Sequence, residues 1–143
     1  MSVQAAGYSG TPLAKKLGIT EGCRVLLIDA PADYRDLFES WPPGVQLCTG
    51  TLTAQRLAKI DAVHLFVTEQ ARLADTLLRL RAALPVQTPV WVSWPKKASK
   101  VPTTVTEDSI RAAALPLDFV DIKVCAVSAV WSGLKLVVRK SAR

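Results

Sequence analysis

A chain of 143 residues, half of them hydrophobic and 21% charged, has the length of one domain and enough apolar material for a core, which excludes intrinsic disorder. No apolar run approaches the roughly 18 residues of a membrane span, and Met1 to Gly7 has neither a charged start nor an apolar stretch, so the expectation is a cytoplasmic protein without a signal peptide. The net charge of +6 points toward anionic partners without selecting one.

In chain order, residues 1–20 read as an arm holding one short helix, Pro12 to Leu17, packed on the core. Proline suits a first helical position, where its missing N–H would be an orphan anyway, and Gly18 suits the residue just past the end. Residues 21–143 read as a single α/β domain. Its first strand, Arg24 to Asp29, has a continuous apolar run rather than an alternating one, as expected of a parallel strand buried on both faces. Pro31 keeps Ala30 extended. A helix is predicted from about Ala32 to Ser40, ended by Pro42-Pro43-Gly44, followed by a short strand at Val45–Thr49 and two helical turns at Thr53–Ile60.

Ala62 to Val67 is a further buried strand. Thr68 is predicted to cap the next helix, whose Leu73, Leu77, Leu80 and Leu84 form an apolar stripe at helical spacing. Val90 to Trp94 is the fourth strand, and a basic loop follows, Pro95 to Lys100. Thr106 caps a helix with Glu107 and Asp108 in its first turn, running to about Leu115. Asp121–Val127 and Leu134–Arg139 are β-rich with no room for a helix between them, so they pair antiparallel. The fold class is therefore α/β: a three-layer, Rossmann-like, mostly parallel sheet with right-handed crossovers and a C-terminal antiparallel hairpin.

Cys23, Cys48 and Cys125 are far apart, form no CxxC pair and have only His64 as a histidine companion, so they read as free thiols and no metal site is expected. His64 lies mid-strand between Val63 and Leu65, and reads as a structural histidine bonded to a neighbour. No GxSxG elbow, P-loop or dinucleotide fingerprint is present.

The layout resembles a class I, S-adenosylmethionine-dependent methyltransferase domain over about residues 17–140. Leu17-Gly18-Ile19-Thr20-Glu21-Gly22-Cys23-Arg24-Val25-Leu26 resembles that family's lead-in to its first strand. Ile60 to Phe66 resembles its fourth strand, and Gly133 to Lys140 resembles the end of its closing hairpin. The whole chain is also similar to a small bacterial family known only as a domain of unknown function, through Ala6 to Ile19, Trp91 to Lys97 and Trp131 to Leu136. That second resemblance implies no activity.

The methyltransferase resemblance implies a glycine-rich turn after the first strand, where bare backbone approaches the cofactor, and an acidic residue after the second strand for the ribose. Here the first position reads Asp29-Ala30-Pro31-Ala32-Asp33 and the second Cys48-Thr49-Gly50. The stretch from Cys48 to Asp61 is also too short for a further strand and full helix, so one βα unit is expected to be missing.

The leading expectation is thus a non-catalytic, methyltransferase-like binding or interaction domain with no catalytic residue and no cofactor. Its partner would be a protein or a small anionic ligand, with no membrane and an unassigned oligomeric state. A divergent S-adenosylmethionine-dependent methyltransferase is the alternative. Nucleic-acid or anion binding through the Trp94–Lys97 loop is the second alternative. Ligands in open α/β sheets bind beyond the carboxyl ends of the strands. That rule selects Asp29, Ser93, Trp94, Lys96 and Lys97. Tyr8, Ser9 and Thr11 join them if the arm folds over the same edge.

Overall fold

The structure is a computed structural model and describes residues 11–143. Six strands form one sheet: β1 (Arg24–Ile28), β2 (Gln46–Cys48), β3 (Ala62–Phe66), β4 (Val90–Pro95), β5 (Phe119–Ala126) and β6 (Trp131–Val138). Their order is β2-β1-β3-β4-β6-β5. The first four run parallel, while β6 is antiparallel to both β4 and β5. The continuous apolar runs do mark the central strands, since every residue of β3 and of β4 is buried.

Alternation along the strands builds a core on each face. Val63, Leu65, Val90, Val92, Trp94, Leu134 and Leu136 point to one face, where α3 (Gln70–Ala83) and α4 (Glu107–Ala114) cover them with Leu73, Leu77, Leu80 and Ile110. Ala62, Phe66 and Trp91 point to the other, where α1 (Leu13–Leu17) contributes Leu13, Ala14 and Leu17. The leucine stripe predicted for the third helix is its buried face. Thr106 caps α4 with a reciprocal pair, its hydroxyl accepting from Ser109 N and its own N–H donating to Ser109 Oγ. Among the described residues no helix is long and apolar enough to cross a membrane.

Three local expectations are corrected. No helix spans residues 32–40; a 3₁₀ turn, Tyr34–Leu37, is all that forms there. Tyr34 and Phe38 are buried and Trp41 is packed against them, and one aromatic cluster holds all three against the sheet. Their spacing of four and three residues would line one face of a helix as well, but Phe38 is extended, at φ −105° and ψ 133°, and ends the turn after Leu37. Thr68 does not cap α3, whose N-cap is Glu69; the Thr68 carbonyl instead accepts from Thr104 N and Thr103 Oγ1. Pro12 is the N-cap of α1 rather than its first helical residue, and Gly18 closes that helix in the left-handed region at φ 74°.

Between β2 and β3 lies only α2 (Ala54–Leu57), a single turn. The sheet therefore ends at the three-residue strand β2, as expected of a chain short by one βα unit.

Gly133 marks the tightest approach within the sheet. It pairs with Ser93 on one side and Cys125 on the other. A Cβ there would stand 3.0 Å from Val127 Cγ2 and 3.3 Å from Trp91 Cε3. Gly133→Val adds three carbons to that space and is expected to lower stability by about 1–3 kcal/mol, read as a lower urea midpoint at unchanged slope.

Candidate functional site

The chain reverses its direction of travel across the sheet between β1 and β3, because β2 lies to one side of β1 and β3 and β4 to the other. Such a switch point leaves a crevice outside the carboxyl ends of the two strands. A pocket of about 120 Å³ occupies this place, lined by Asp29 beyond β1, by Leu65 to Glu69 at the end of β3, by Arg72 and Thr76 of α3, and by Trp131. Asp29 sits in the left-handed region at φ 55°, a conformation aspartate tolerates better than most residues. That turn aims its carboxylate at Arg72, 3.3 Å away, and both side chains remain largely exposed. The rim is thus a solvated ion pair.

The floor is aromatic. Trp131 meets Phe66 edge-on with centroids 5.0 Å apart, and Phe66 stacks on His64 at 4.3 Å. Tyr34, brought inward by the 3₁₀ turn after Pro31, packs edge-on against both His64 and Phe66. Phe38 and Trp41 extend the cluster outward.

Within it lies a polar bridge. Tyr34 Oη is 3.0 Å from His64 Nδ1, and His64 Nε2 is 2.7 Å from Ser93 Oγ. His64 is 2% exposed and Ser93 0%. A neutral imidazole has one N–H and one bare nitrogen, and a hydroxyl on each side satisfies either tautomer. Burial pushes the imidazolium pKa down to about 3, so the ring is neutral at ordinary pH. Burial also raises the Tyr34 phenol, which stays protonated. The expected structural role of His64 therefore has definite partners. Ser93 and His64 adjoin as a nucleophile and base would, but Ser93 is closed to solvent and tyrosine, not a carboxylate, holds the far nitrogen.

The other sequence candidates scatter. Trp94 is 9% exposed and packs in the core with Val92 and Leu134, so its ring offers no face for stacking. Lys96 is half-buried and Lys97 exposed, at a 3₁₀ turn over Lys97–Ser99 that follows β4. Burial lowers the Lys96 ammonium pKa, and Lys16 nearby lowers it further. Thr11 lines a different cavity, of about 550 Å³, together with Lys16, Lys123 to Ala126 and Ser132. Tyr8 and Ser9 lie outside the described residues. Among the described residues of the predicted set, only Asp29 lines the switch-point pocket, and Ser93 lies behind it in the hydrogen-bonded bridge. Arg72, Thr76, Trp131 and Tyr34 were missed. The signals for them were faint: an arginine one turn into the helix after β3, and aromatic residues following a proline-broken strand end. Among the described residues no three metal-ligating side chains cluster.

No family model matches the sequence, and no curated protein matches it. Solved structures match it in fold. A candidate type 11 methyltransferase from Sulfolobus solfataricus superposes with a TM-score of 0.64 at 11% identity, over 92% of each chain. A mutant 16S rRNA adenine methyltransferase from Catenulisporales acidiphilia gives 0.53 at 17% identity, again over 92% of each. Magnesium protoporphyrin IX methyltransferase from Synechocystis PCC 6803 with bound SAM gives 0.50 at 16% identity over 70% of this chain, which spans only 49% of that enzyme's length. At these identities the likeness is one of architecture: a Rossmann-like, methyltransferase-type fold in shortened form.

Proposed function

We propose that this chain is a non-catalytic, methyltransferase-fold module that binds a small polar group, free or borne by a partner protein, at the switch-point pocket. The observation that carries the reading is the turn beyond β1, which is filled by side chains where a cofactor site needs bare backbone. The pocket of about 120 Å³ shares Asp29, Arg72 and Thr76 with a second, more open one of about 400 Å³. An adenosyl group needs bare backbone beside it, and here Asp29-Ala30-Pro31 supplies side chains and a proline ring while Tyr34 occupies the space beneath. What remains is a rim of Asp29, Thr68, Glu69 and Arg72, matched in scale to a carboxylate, an amine or an amide. Lys96 and Lys97 follow directly on the Pro95–Trp131 pair at the same end of the sheet, outside the lining of the pocket.

The alternative is a divergent S-adenosylmethionine-dependent methyltransferase. It is favoured by fold neighbours whose structures hold SAM, among them the Synechocystis enzyme and the LepI complex. Titration calorimetry with S-adenosylmethionine and S-adenosylhomocysteine separates the two. The expected result is no saturable heat with either. Saturable micromolar binding of either compound replaces the module by the enzyme.

A further inference from the structure

A cavity of about 550 Å³ lies away from the switch point, between α1 and the edge strand β5. Its lining carries Lys16 and Lys123 and no carboxylate. Lys123 Nζ donates to the Lys16 carbonyl at 3.2 Å, which holds the two lysine-bearing segments together across the cleft and leaves two further donors on the Lys123 ammonium. Lys96 stands close enough to Lys16 for the two charges to repel. Lys16 and Lys123 thus bring two positive charges to a cleft whose described lining carries no carboxylate.

The backbone beside this charge is half-paired. Among the described residues β5 bonds to β6 along one side only, so alternate residues turn N–H and C=O groups outward. Edge strands of this length are usually blunted. In β5 a register shift between Asp121 and Lys123 does this for the first half only; Lys123 to Ala126 continues in regular register against Lys135 to Ser132. Val124, in that regular half and in the lining of the cleft, is 49% exposed. A regular open edge, apolar side chains and lysines within one cleft match an added strand whose own side chains include carboxylates.

We propose that β5 accepts an extended acidic segment of another protein as a seventh strand, its carboxylates meeting Lys16 and Lys123. The alternatives fit less well. A second copy pairing antiparallel through β5 would set Lys123 and Lys16 of each molecule against those of the other. A nucleic-acid strand would want aromatic stacking, and among the described residues none that lines the cleft is aromatic. The proposal does not depend on what the switch-point pocket binds.

The test uses the full chain and two labelled decapeptides, one alternating Glu and Val, the other Lys and Val, with a single-stranded oligothymidine as a third probe. Fluorescence anisotropy is expected to show saturable binding of the Glu-Val peptide only. The doubly charge-reversed variant K16E/K123E, confirmed folded by its circular dichroism and thermal midpoint, is expected to bind it at least about tenfold more weakly. Amide shifts on adding the peptide are expected along Lys123–Ala126 and α1. The proposal is overturned by absent binding up to about 1 mM. It also fails if the Lys-Val peptide or the oligothymidine binds equally well, if K16E/K123E is unaffected, or if the shifts centre on Asp29 and Thr68. Sedimentation showing a dimer that K123E dissolves would assign the edge to self-association instead.

Discussion

Replacing His64 by alanine is expected to destabilise the protein by at least about 3 kcal/mol, a large share of the roughly 5–15 kcal/mol that holds a domain together. Three losses combine. A ring that stacks on Phe66 and abuts Tyr34 disappears from a fully packed site, and large-to-small changes in cores cost about 2–5 kcal/mol. The Tyr34 hydroxyl and the Ser93 hydroxyl then each lose their bond to the ring, 3.0 and 2.7 Å long, in a place water does not reach. Each orphaned buried group adds about 1–3 kcal/mol when nothing else satisfies it. His64→Gln keeps a polar bridge and is expected to lose less. Urea denaturation of both variants reads the order directly; equal midpoints for alanine and wild type would mean that the bridge is dispensable.

The same residue sets a pH dependence. The folded pKa of His64, about 3, lies below the ordinary 6.5 of an unfolded histidine. Between those values the unfolded chain binds a proton that the folded chain refuses, so stability falls as pH falls. The contribution of the neutral ring is complete above about pH 6.5 and declines steadily toward pH 3. His64→Gln has nothing to titrate there, so the stability gap between wild type and this variant is expected to narrow on acidification. Comparing the two removes the carboxylates, which titrate in both.

Trp91→Ala is the second large effect, expected at about 3–5 kcal/mol. Trp91 is among the largest fully buried side chains. Its ring fills the space left open by Gly133, and its Nε1–H donates to the Leu17 carbonyl at 2.9 Å. That bond joins the sheet to the last residue of α1, which at five residues is too short to persist alone. Trp91→Phe retains most of the burial and removes only the bond, at about 1 kcal/mol. Hydrogen exchange at Leu13–Leu17 is expected to quicken in both variants. Unchanged protection of α1 in Trp91→Ala would show that Leu13, Ala14 and Leu17 anchor it without the tryptophan.

The parts of the fold legible in the sequence were those governed by periodicity and local chemistry. Continuous apolar runs marked β1, β3 and β4, the leucine stripe marked the buried face of α3, and Thr106 marked the start of α4. The hairpin followed from the lack of room for a helix. Residues 32–40 misled because nothing local opposes a helix there; the choice is made by Phe66 and His64, which lie about thirty positions further along and draw Tyr34 onto the sheet. The site was legible only at its backbone address. Asp29 could be placed because it ends an apolar run. Arg72 and Trp131 could not, since their approach to Asp29 and Phe66 depends on the packing of α3 and the register of β6. The Tyr34–His64–Ser93 bridge spans three separate elements, and only the β3–β4 register, which sets Phe66 beside Ser93, brings His64 and Ser93 together.

The strand order also governs when the protein can fold during synthesis. β6, made after both β4 and β5, sits between them. Until Trp131–Val138 has left the ribosome, β5 has nothing to bond to and the edge of β4 stays open. At about 5–20 residues per second that interval lasts on the order of a few seconds. During it the nascent chain displays Val90 and Val92, later fully buried, to its surroundings. Chaperone demand should therefore peak just before translation of the final hairpin strand ends, and a ribosome stalled between β5 and β6 should leave a protease-sensitive product.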